Sequence, residues 1–199
     1  MKIVVTGANG FLAKNLCVFL KETGQHEIVE VTRHTPRSEL LIYLDDADFI
    51  YHLAGVNRSE RTEDFQAGNV ELTEFILDTL IEQSRQTPLA YSSSIQATLD
   101  DPYGKSKLKA EEAIRSYSEA TGARHYIYRF PNIFGKWSKP NYNSFVSTFC
   151  YNTLNDTDIV IHDPKAEVTL AYIDDVCDSL LQLSDNKCEQ GFLSNFKEY

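Results

Sequence analysis

The chain has 199 residues, 42% of them hydrophobic, and its 19 Lys plus Arg against 29 Asp plus Glu give a formal net charge of −10. This composition excludes a disordered tail, and the acidic balance without a basic stripe excludes the usual nucleic-acid-binding surface. No apolar run reaches the roughly 20 residues of a membrane span or forms a signal peptide, so we expect a cytoplasmic protein with no nucleic-acid or membrane partner.

Short apolar runs alternate with helix-period segments along most of the chain, which is typical of βα units that build a parallel sheet. Their near-continuous hydrophobicity predicts strands that are buried on both faces. The predicted strands are Lys2–Thr6, Glu27–Thr32, Asp48–Ala54, Leu89–Ser93, His125–Phe130 and about Asp158–His162. Between the second and third of these runs, only Tyr43 to Asp46 is left for a further strand.

Apolar residues recur at helical spacing in segments between the strands. The predicted helices are Phe11–Lys21, Val70–Gln83 and Tyr103–Ala120. Gly24 and Gly122 follow the first and the last of them, where a residue in the left-handed conformation commonly ends a helix. The alternation of strands and helices predicts an α/β fold with a Rossmann-like, doubly wound parallel sheet.

The alternation of apolar strand runs and helix-period segments becomes weaker after residue 135. The segment Lys136–Ser144 is rich in Lys, Pro, Asn and Ser, which is typical of a loop. We therefore predict a Rossmann-like core over residues 1–135 and a small, incomplete C-terminal lobe over residues 136–199. The last residues, Ser184–Tyr199, carry too little signal for an assignment.

Two glycines lie where the first predicted strand passes into the first helix. The sequence there is Thr6-Gly7-Ala8-Asn9-Gly10-Phe11-Leu12-Ala13. Glycines at such a turn let the backbone approach a pyrophosphate at a helix N-terminus, and alanine is tolerated at the position of the third glycine. The turn predicts a dinucleotide site that includes Gly7, Asn9, Gly10, Phe11 and Leu12; a tight turn without a ligand is the alternative.

The end of the second strand predicts the type of cofactor. An NAD-preferring site commonly has an acidic residue there for the adenosine ribose, whereas this chain has Thr32-Arg33-His34. The Arg33 guanidinium could hold a 2′-phosphate through two hydrogen bonds. We therefore predict NADPH in preference to NADH, with a solvated surface arginine as the alternative.

Tyr103 and Lys107 are four residues apart at the start of a predicted helix, so they lie on one face. An isolated phenol titrates near about 10, and a neighbouring ammonium favours the phenolate, which would bring Tyr103 toward acid–base use. Ser94, at the end of the preceding strand, could hold a substrate oxygen beside it. The pattern predicts Ser94, Tyr103 and Lys107 as catalytic residues, and an ordinary surface pair is the alternative.

These features together resemble an extended short-chain dehydrogenase/reductase of the NAD-dependent epimerase/dehydratase family, over roughly residues 1–178. The landmarks are the turn at Gly7 and Gly10, His52-Leu53-Ala54-Gly55, the Ser94/Tyr103/Lys107 set, and Arg129-Phe130-Pro131-Asn132-Ile133-Phe134-Gly135. The resemblance implies that Leu53, Ala54 and Gly55 line the cofactor and that Tyr103 and Lys107 contact it, Lys107 at the nicotinamide ribose. It also implies that Asn69 shapes the helix beside the site and that the chain forms a homodimer through two helices, Val70–Gln83 and Tyr103–Ala120.

A closer similarity is to the reductase domain of capsular-polysaccharide synthesis enzymes of the CapF type. It is carried by Val56-Asn57-Arg58, the serine run before Tyr103, and the segment from Gly135 to Ser144. It implies NADPH-dependent reduction of the C4 ketone of a UDP-2-acetamido-2,6-dideoxy-hexos-4-ulose, so the expected partner is a UDP-linked deoxy-keto-sugar. The substrate-binding residues that we expect are Val56, Asn57, Arg58, Ser94, Asn132, Lys136 and Asn143.

The residues of the site also bear on three other functions. A dehydratase of this family carries an Asp-Glu pair after the serine, and Ile95 and Gln96 at those places cannot act as acid or base. An NAD-dependent nucleotide-sugar 4-epimerase and a non-catalytic dinucleotide-binding module remain as alternatives.

Cysteine and histidine residues are scattered through the chain rather than clustered. There are four Cys and five His, and no two Cys form a CxxC pair. We therefore predict neither a metal site nor a disulfide framework.

Overall fold

A computed structural model describes residues 1–142, 144–161, 163–184, 188–194 and 196–199. The strands are β1 (Lys2–Thr6), β2 (Glu27–Val31), β3 (Phe49–His52), β4 (Leu89–Ser94), β5 (His125–Phe130), β6 (Asn132–Phe134), β7 (Leu170–Tyr172) and β8 (Gly191–Leu193). Six of them form a parallel sheet in the order β2-β1-β3-β4-β5-β8, and β6 pairs in parallel with β7.

Helices cover both faces of the large sheet. The α-helices are α1 (Phe11–Glu22), α2 (Arg37–Asp45), α3 (Thr62–Phe65), α4 (Leu72–Glu82), α5 (Pro102–Thr121), α6 (Phe145–Leu154) and α7 (Ile173–Ser184). One core places the apolar stripes of α1 and α7 against the sheet, and the other places those of α2, α4 and α5 there. The prediction of a doubly wound, Rossmann-like α/β fold is confirmed. No helix among the described residues has the length and apolarity that crossing a membrane requires.

The predicted elements of the first 130 residues are present with small shifts of their ends. The helix predicted over Val70–Gln83 is α4, and it is preceded by a π-helical segment, Gln66–Glu71. Both predicted helix ends are confirmed, because Gly24 and Gly122 have φ angles of +64° and +76°. The strands β1 to β5 therefore place the glycine turn and the serine run at the same, carboxyl edge of the sheet.

One predicted strand is wrong, and the candidate for a further strand is not a strand. Residues 158–161 form no strand, and Ile159, Val160 and Ile161 are exposed, because no neighbouring strand pairs with them; His162 lies outside the described residues. Tyr43 to Asp46 belongs mostly to α2, where Leu40 and Leu44 are buried one turn apart. The connection from β2 to β3 is therefore a short helix rather than a further strand.

Several elements of the C-terminal part had not been predicted. The last strand of the large sheet is β8, within the segment that sequence analysis left unassigned, and α7 packs against α1. The region thus contributes both to the main sheet and to the small β6-β7 pair. The division at residue 135 stays a prediction.

Candidate active site

The glycine turn lies where the sheet order reverses direction. From β1 the chain goes to β2 on one side and then to β3 on the other, and ligands of open α/β sheets bind outside such a reversal. Gly7 has φ +71°, and a Cβ there would lie 2.7 Å from the Cα of Ala54 and 2.8 Å from its nitrogen. Only glycine fits this contact between the loops that follow β1 and β3.

The start of α1 offers free N–H groups to an anion. Gly10 is the N-cap residue, no side chain caps the helix, and its first turn contains no acidic residue. Asn9 and Gly10 are exposed in the turn, while Phe11 and Leu12 are half-buried. The exposed turn and the uncapped helix start fit a pyrophosphate at a helix N-terminus. Arg33 is exposed, two residues beyond β2.

Tyr103 lies in the first turn of α5, beside the end of β4. The carboxylate of Asp101 accepts a hydrogen bond from the Gly104 N–H (2.9 Å) and caps the helix. Ser94, which is buried, lies close enough to Tyr103 to lower the pKa of its phenol, and its Oγ accepts from the Gln96 N–H (3.1 Å). The structure therefore brings together two of the three predicted catalytic residues.

The pKa of Tyr103 is raised, contrary to the expectation from the sequence. Burial is the largest cause; the nearby Ser94 hydroxyl opposes it, and the charge of Asp101 adds to it. The Lys107 ammonium is 5.9 Å from the centre of the Tyr103 ring, too far to offset the burial in the protein alone. The phenol therefore holds its proton at neutral pH.

Lys107 is buried directly behind Tyr103. Its ammonium donates a hydrogen bond to the Ser92 carbonyl (2.8 Å) and lies 4.8 Å from the centre of the Tyr91 ring. Burial lowers the pKa of Lys107 to about 8, and the negative charge of Glu111 opposes this shift. A methyl group at Gly55 would come 3.1 Å from the Lys107 nitrogen, so the loop after β3 reaches the catalytic helix.

Asn69, within the π-helical segment, holds the loop after β3 in place. Its Oδ1 accepts from the Val56 N–H (2.7 Å), and its Nδ2 donates to the Val56 carbonyl and to the Ser106 hydroxyl (2.9 Å each). Asn69 is 1% exposed, so these bonds satisfy a buried amide. Asn69 thus ties the loop after β3 to the π-helical segment and to α5, and its role in shaping the site stays a prediction.

A buried hydrogen-bond chain runs through His52 from the glycine turn to Asn69. The Ala54 N–H donates to Thr6 Oγ1 (3.1 Å), which lies 2.7 Å from His52 Nδ1. His52 Nε2 lies 2.9 Å from Thr73 Oγ1, and the Thr73 hydroxyl donates to the Asn69 carbonyl (2.6 Å). The single proton of the Thr73 hydroxyl goes to the Asn69 carbonyl, so Thr73 Oγ1 can only accept from His52. The neutral imidazole of His52 therefore carries its proton on Nε2.

His52 is predicted to make the protein acid-sensitive. Burial, followed by the charge of Lys107, lowers its pKa to about 3, against about 6.5 in the unfolded chain. Between about pH 3 and about pH 6.5, His52 is therefore protonated in the unfolded chain and neutral in the folded protein. The free energy of unfolding should fall below pH 6.5 with a contribution from this group of about 1.4 kcal/mol per pH unit.

Urea denaturation at several pH values would measure this dependence. His52→Gln should flatten the acid slope, whereas His34→Gln, which removes an exposed imidazole, should leave it as in the parent chain. An equal slope in the parent and in His52→Gln would contradict the prediction.

The predicted substrate residues differ in their surroundings. Val56 contacts Asn69 as described, while Asn57, Arg58, Asn132 and Lys136 are exposed. Within the described ranges, no hydrogen bond joins Asn57, Arg58 or Asn132 to the catalytic residues. The Lys136 carbonyl accepts from Asn15 Nδ2 (3.0 Å), which links α1 to the loop after β6. Asn143 lies outside the described residues.

Sequence analysis missed three polar residues that support the site. They are Thr6, Thr73 and Glu111, all buried. No sequence pattern marks Thr6 or Thr73 as site residues, because each contacts His52, which lies on a different element. Glu111 could have been found, because it continues the spacing of Tyr103 and Lys107 by one more turn.

A parallel sheet with a glycine turn at its reversal and a Ser-Tyr-Lys set at its carboxyl edge defines a dinucleotide-binding protein of the short-chain dehydrogenase/reductase type. Residues 3–191 match the model of the NAD dependent epimerase/dehydratase family. The chain belongs to that family.

Two relatives resemble the chain over nearly all its length. It is 49% identical to "UDP-2-acetamido-2,6-beta-L-arabino-hexul-4-ose reductase" of Pseudomonas aeruginosa, with 94% of this chain and 50% of the relative covered. It is 44% identical to the capsular polysaccharide assembling protein CapF of Staphylococcus aureus, with a TM-score of 0.86 over 100% of this chain and 55% of CapF. The chain thus spans about half the length of these relatives.

More distant structures share the fold alone. A UDP-glucuronic acid 4-epimerase of Bacillus cereus in complex with NAD is 18% identical, with a TM-score of 0.86 over 100% of this chain and 78% of the epimerase.

Proposed function

We propose that this chain is an NADPH-dependent reductase of the C4 ketone of a UDP-2-acetamido-2,6-dideoxy-hexos-4-ulose, acting in the biosynthesis of a capsule or surface polysaccharide. The 49% identity to a reductase of this description supports the proposal, as does the similarity to CapF. The observation that carries it is the Ser94–Tyr103–Lys107 arrangement at the mouth of the cofactor cradle.

The cofactor would be held by the glycine turn and by the loop after β3. Gly7, Gly10 and the N–H groups of the first turn of α1 would bind its pyrophosphate, and Leu53, Ala54 and Gly55 would line it. When bound, the nicotinamide would supply the hydride for the ketone carbon. Lys107 would hold the nicotinamide ribose.

Tyr103 would deliver the proton to the ketone oxygen, and the Ser94 hydroxyl would hold that oxygen beside it. The raised pKa of Tyr103 suits a proton donor, because the phenol is protonated at neutral pH. Lys107 would stabilise the phenolate that remains after the transfer.

The substrate diphosphate needs local cations, because the net charge of −10 would otherwise repel it. Arg58, Lys136 and Lys139 are exposed candidates around the site, and Asn132 would contact the nucleotide-sugar. The homodimer through α4 and α5 stays a prediction.

Arg33 is expected to select NADPH. Arg33→Ala should weaken NADPH binding by about 10- to 100-fold, the range for a lost hydrogen bond to a charged group, and leave NADH binding unchanged. Titration followed by nicotinamide fluorescence measures both constants. Arg37→Ala removes a nearby exposed arginine that lies over the Phe75 ring and serves as the matched control. Equal losses for NADPH and NADH would exclude a 2′-phosphate contact.

The decisive experiment mixes the purified chain with NADPH and the UDP-linked 4-keto-sugar. Loss of NADPH with formation of a 4-hydroxy sugar is the expected result. A parallel assay mixes the chain with NAD and a UDP-linked 4-hydroxy sugar, where interconversion of the 4-epimers would instead establish the epimerase. Cofactor binding without turnover in either assay would establish the binding module.

A further inference from the structure

Glu111 is a fully buried carboxylate one turn beyond Lys107 on α5. Tyr103, Lys107 and Glu111 follow one another at intervals of four residues and therefore lie along one face of the helix. Glu111 is 0% exposed and Lys107 is 4% exposed. Burying a carboxylate is costly unless other groups compensate its charge, so its surroundings need an explanation.

Glu111 is held by two neighbouring strands. Arg129 on β5 donates from Nε to Oε1 (2.9 Å) and from Nη2 to Oε2 (2.6 Å), and the Ser93 hydroxyl on β4 also binds Oε1. Ser93 and Arg129 are partners in the register of β4 and β5. A bidentate pair with arginine fixes the orientation of the carboxylate. The outer side of Arg129 reaches solvent, with its guanidinium 4.7 Å from the centre of the Phe192 ring.

The same stretch of β4 holds both charges. Lys107 donates to the carbonyl of Ser92, and Glu111 accepts from the hydroxyl of Ser93. Residues four apart on a helix have Cβ atoms about 5–6 Å apart, so the two side chains are neighbours on α5. The negative charge of Glu111 accordingly raises the pKa of the Lys107 ammonium. The direct hydrogen-bond partner of Lys107 is a neutral carbonyl, so the charge that favours its ammonium comes from Glu111.

The other groups around Lys107 do not replace this charge. His52 on β3 is neutral, Tyr91 on β4 presents its ring, and Asn69 of the π-helical segment is an amide. Tyr103 on α5 is protonated, and the positively charged Arg129 on β5 pairs with Glu111. Within the described ranges, Glu111 is therefore the acidic side chain whose charge acts on the ammonium.

We propose that Glu111 is a positioning residue that acts through Lys107: its carboxylate keeps the buried ammonium charged, and Arg129 limits that effect. The consequence for ketone reduction rests on the proposed function, because a charged Lys107 stabilises the Tyr103 phenolate. The effect on Lys107 itself does not depend on the substrate.

The titration of Lys107 can be measured directly in the cofactor-free protein. Lysine labelled with ¹³C at Cε reports the ammonium charge by NMR, and Lys107→Met identifies the Lys107 signal. Glu111→Gln should move the titration midpoint of Lys107 to lower pH by about one unit, since it removes a nearby opposite charge. Arg129→Gln should move the midpoint to higher pH, because the carboxylate then faces Lys107 alone.

Glu112→Gln is the matched control, because Glu112 is the exposed neighbour on the same helix turn. It should leave the midpoint where it is. A midpoint that does not move in Glu111→Gln would overturn the proposal, as would shifts of the same sign in Glu111→Gln and Arg129→Gln. If Glu111→Gln does not fold, a downward or absent shift in Arg129→Gln overturns the proposal.

Kinetics then separate this inference from the proposed function. In Glu111→Gln, the alkaline limb of kcat/KM for keto-sugar reduction should move to lower pH together with the NMR midpoint. If the midpoint moves and the chain reduces no keto-sugar, the proposed function fails and the role of Glu111 stands. If the chain reduces the sugar and the midpoint does not move, the proposed function stands and Glu111 has only a packing role.

Discussion

Tyr103→Phe is expected to lower kcat for keto-sugar reduction by about 10²- to 10⁴-fold, the usual contribution of a positioned general acid. The variant keeps the ring and loses only the hydroxyl, whose pKa Ser94 lowers. NADPH binding should stay close to that of the parent chain, because the glycine turn and the start of α1 are unchanged. The two quantities are measured by loss of NADPH absorbance under saturating substrate and by fluorescence titration.

Tyr126→Phe provides the matched control for this experiment. Tyr126 is also buried, and its hydroxyl has no hydrogen-bond partner among the described residues, so removing it should change neither kcat nor cofactor binding. Near-normal turnover in Tyr103→Phe, with cofactor binding intact, would show that another group or water protonates the ketone. Loss of NADPH binding in the same variant would show that Tyr103 serves mainly to hold the cofactor.

The elements that sequence reasoning found are those with a strong local pattern. The strand at Lys2–Thr6 and the helix α5 each have an apolar pattern that depends only on their own residues. The helix α2 buries only Leu40 and Leu44 in nine residues, so its apolar stripe was too narrow to recognise. The exposed run at residues 158–161 is apolar enough to suggest a strand, but a strand also needs a neighbour, which local sequence does not specify.

The same distinction divides the residues of the site. The four-residue spacing of Tyr103 and Lys107 on one helix and the turn that contains Gly7 are local patterns. These residues could therefore be predicted from the sequence. Glu111 and Arg129 meet because β4 and β5 pair with Ser93 beside Arg129. That register follows from the three-dimensional order of the strands. The raised pKa of Tyr103 is likewise a result of burial by the assembled fold.

Gly7→Ala is expected to destabilise the protein and to abolish NADPH binding. A left-handed conformation costs a non-glycine residue roughly 1–2 kcal/mol, and here the new Cβ would also lie 2.7 Å from backbone at Ala54. Backbone cannot rotate away as a side chain can, so the loops after β1 and β3 would have to separate. Because the Ala54 N–H donates to Thr6, that movement would also break the hydrogen-bond chain through His52.

Gly24→Ala isolates the conformational part of this effect. Gly24 has a similar φ of +64°, but a Cβ there meets nothing within 4 Å. Urea denaturation should therefore show a loss of roughly 1–2 kcal/mol for Gly24→Ala and a clearly larger loss for Gly7→Ala. Only Gly7→Ala should lose cofactor binding. Equal destabilisation of the two variants would mean that the loops separate at little cost, and NADPH binding by Gly7→Ala would show that their close approach is not what forms the cofactor cradle.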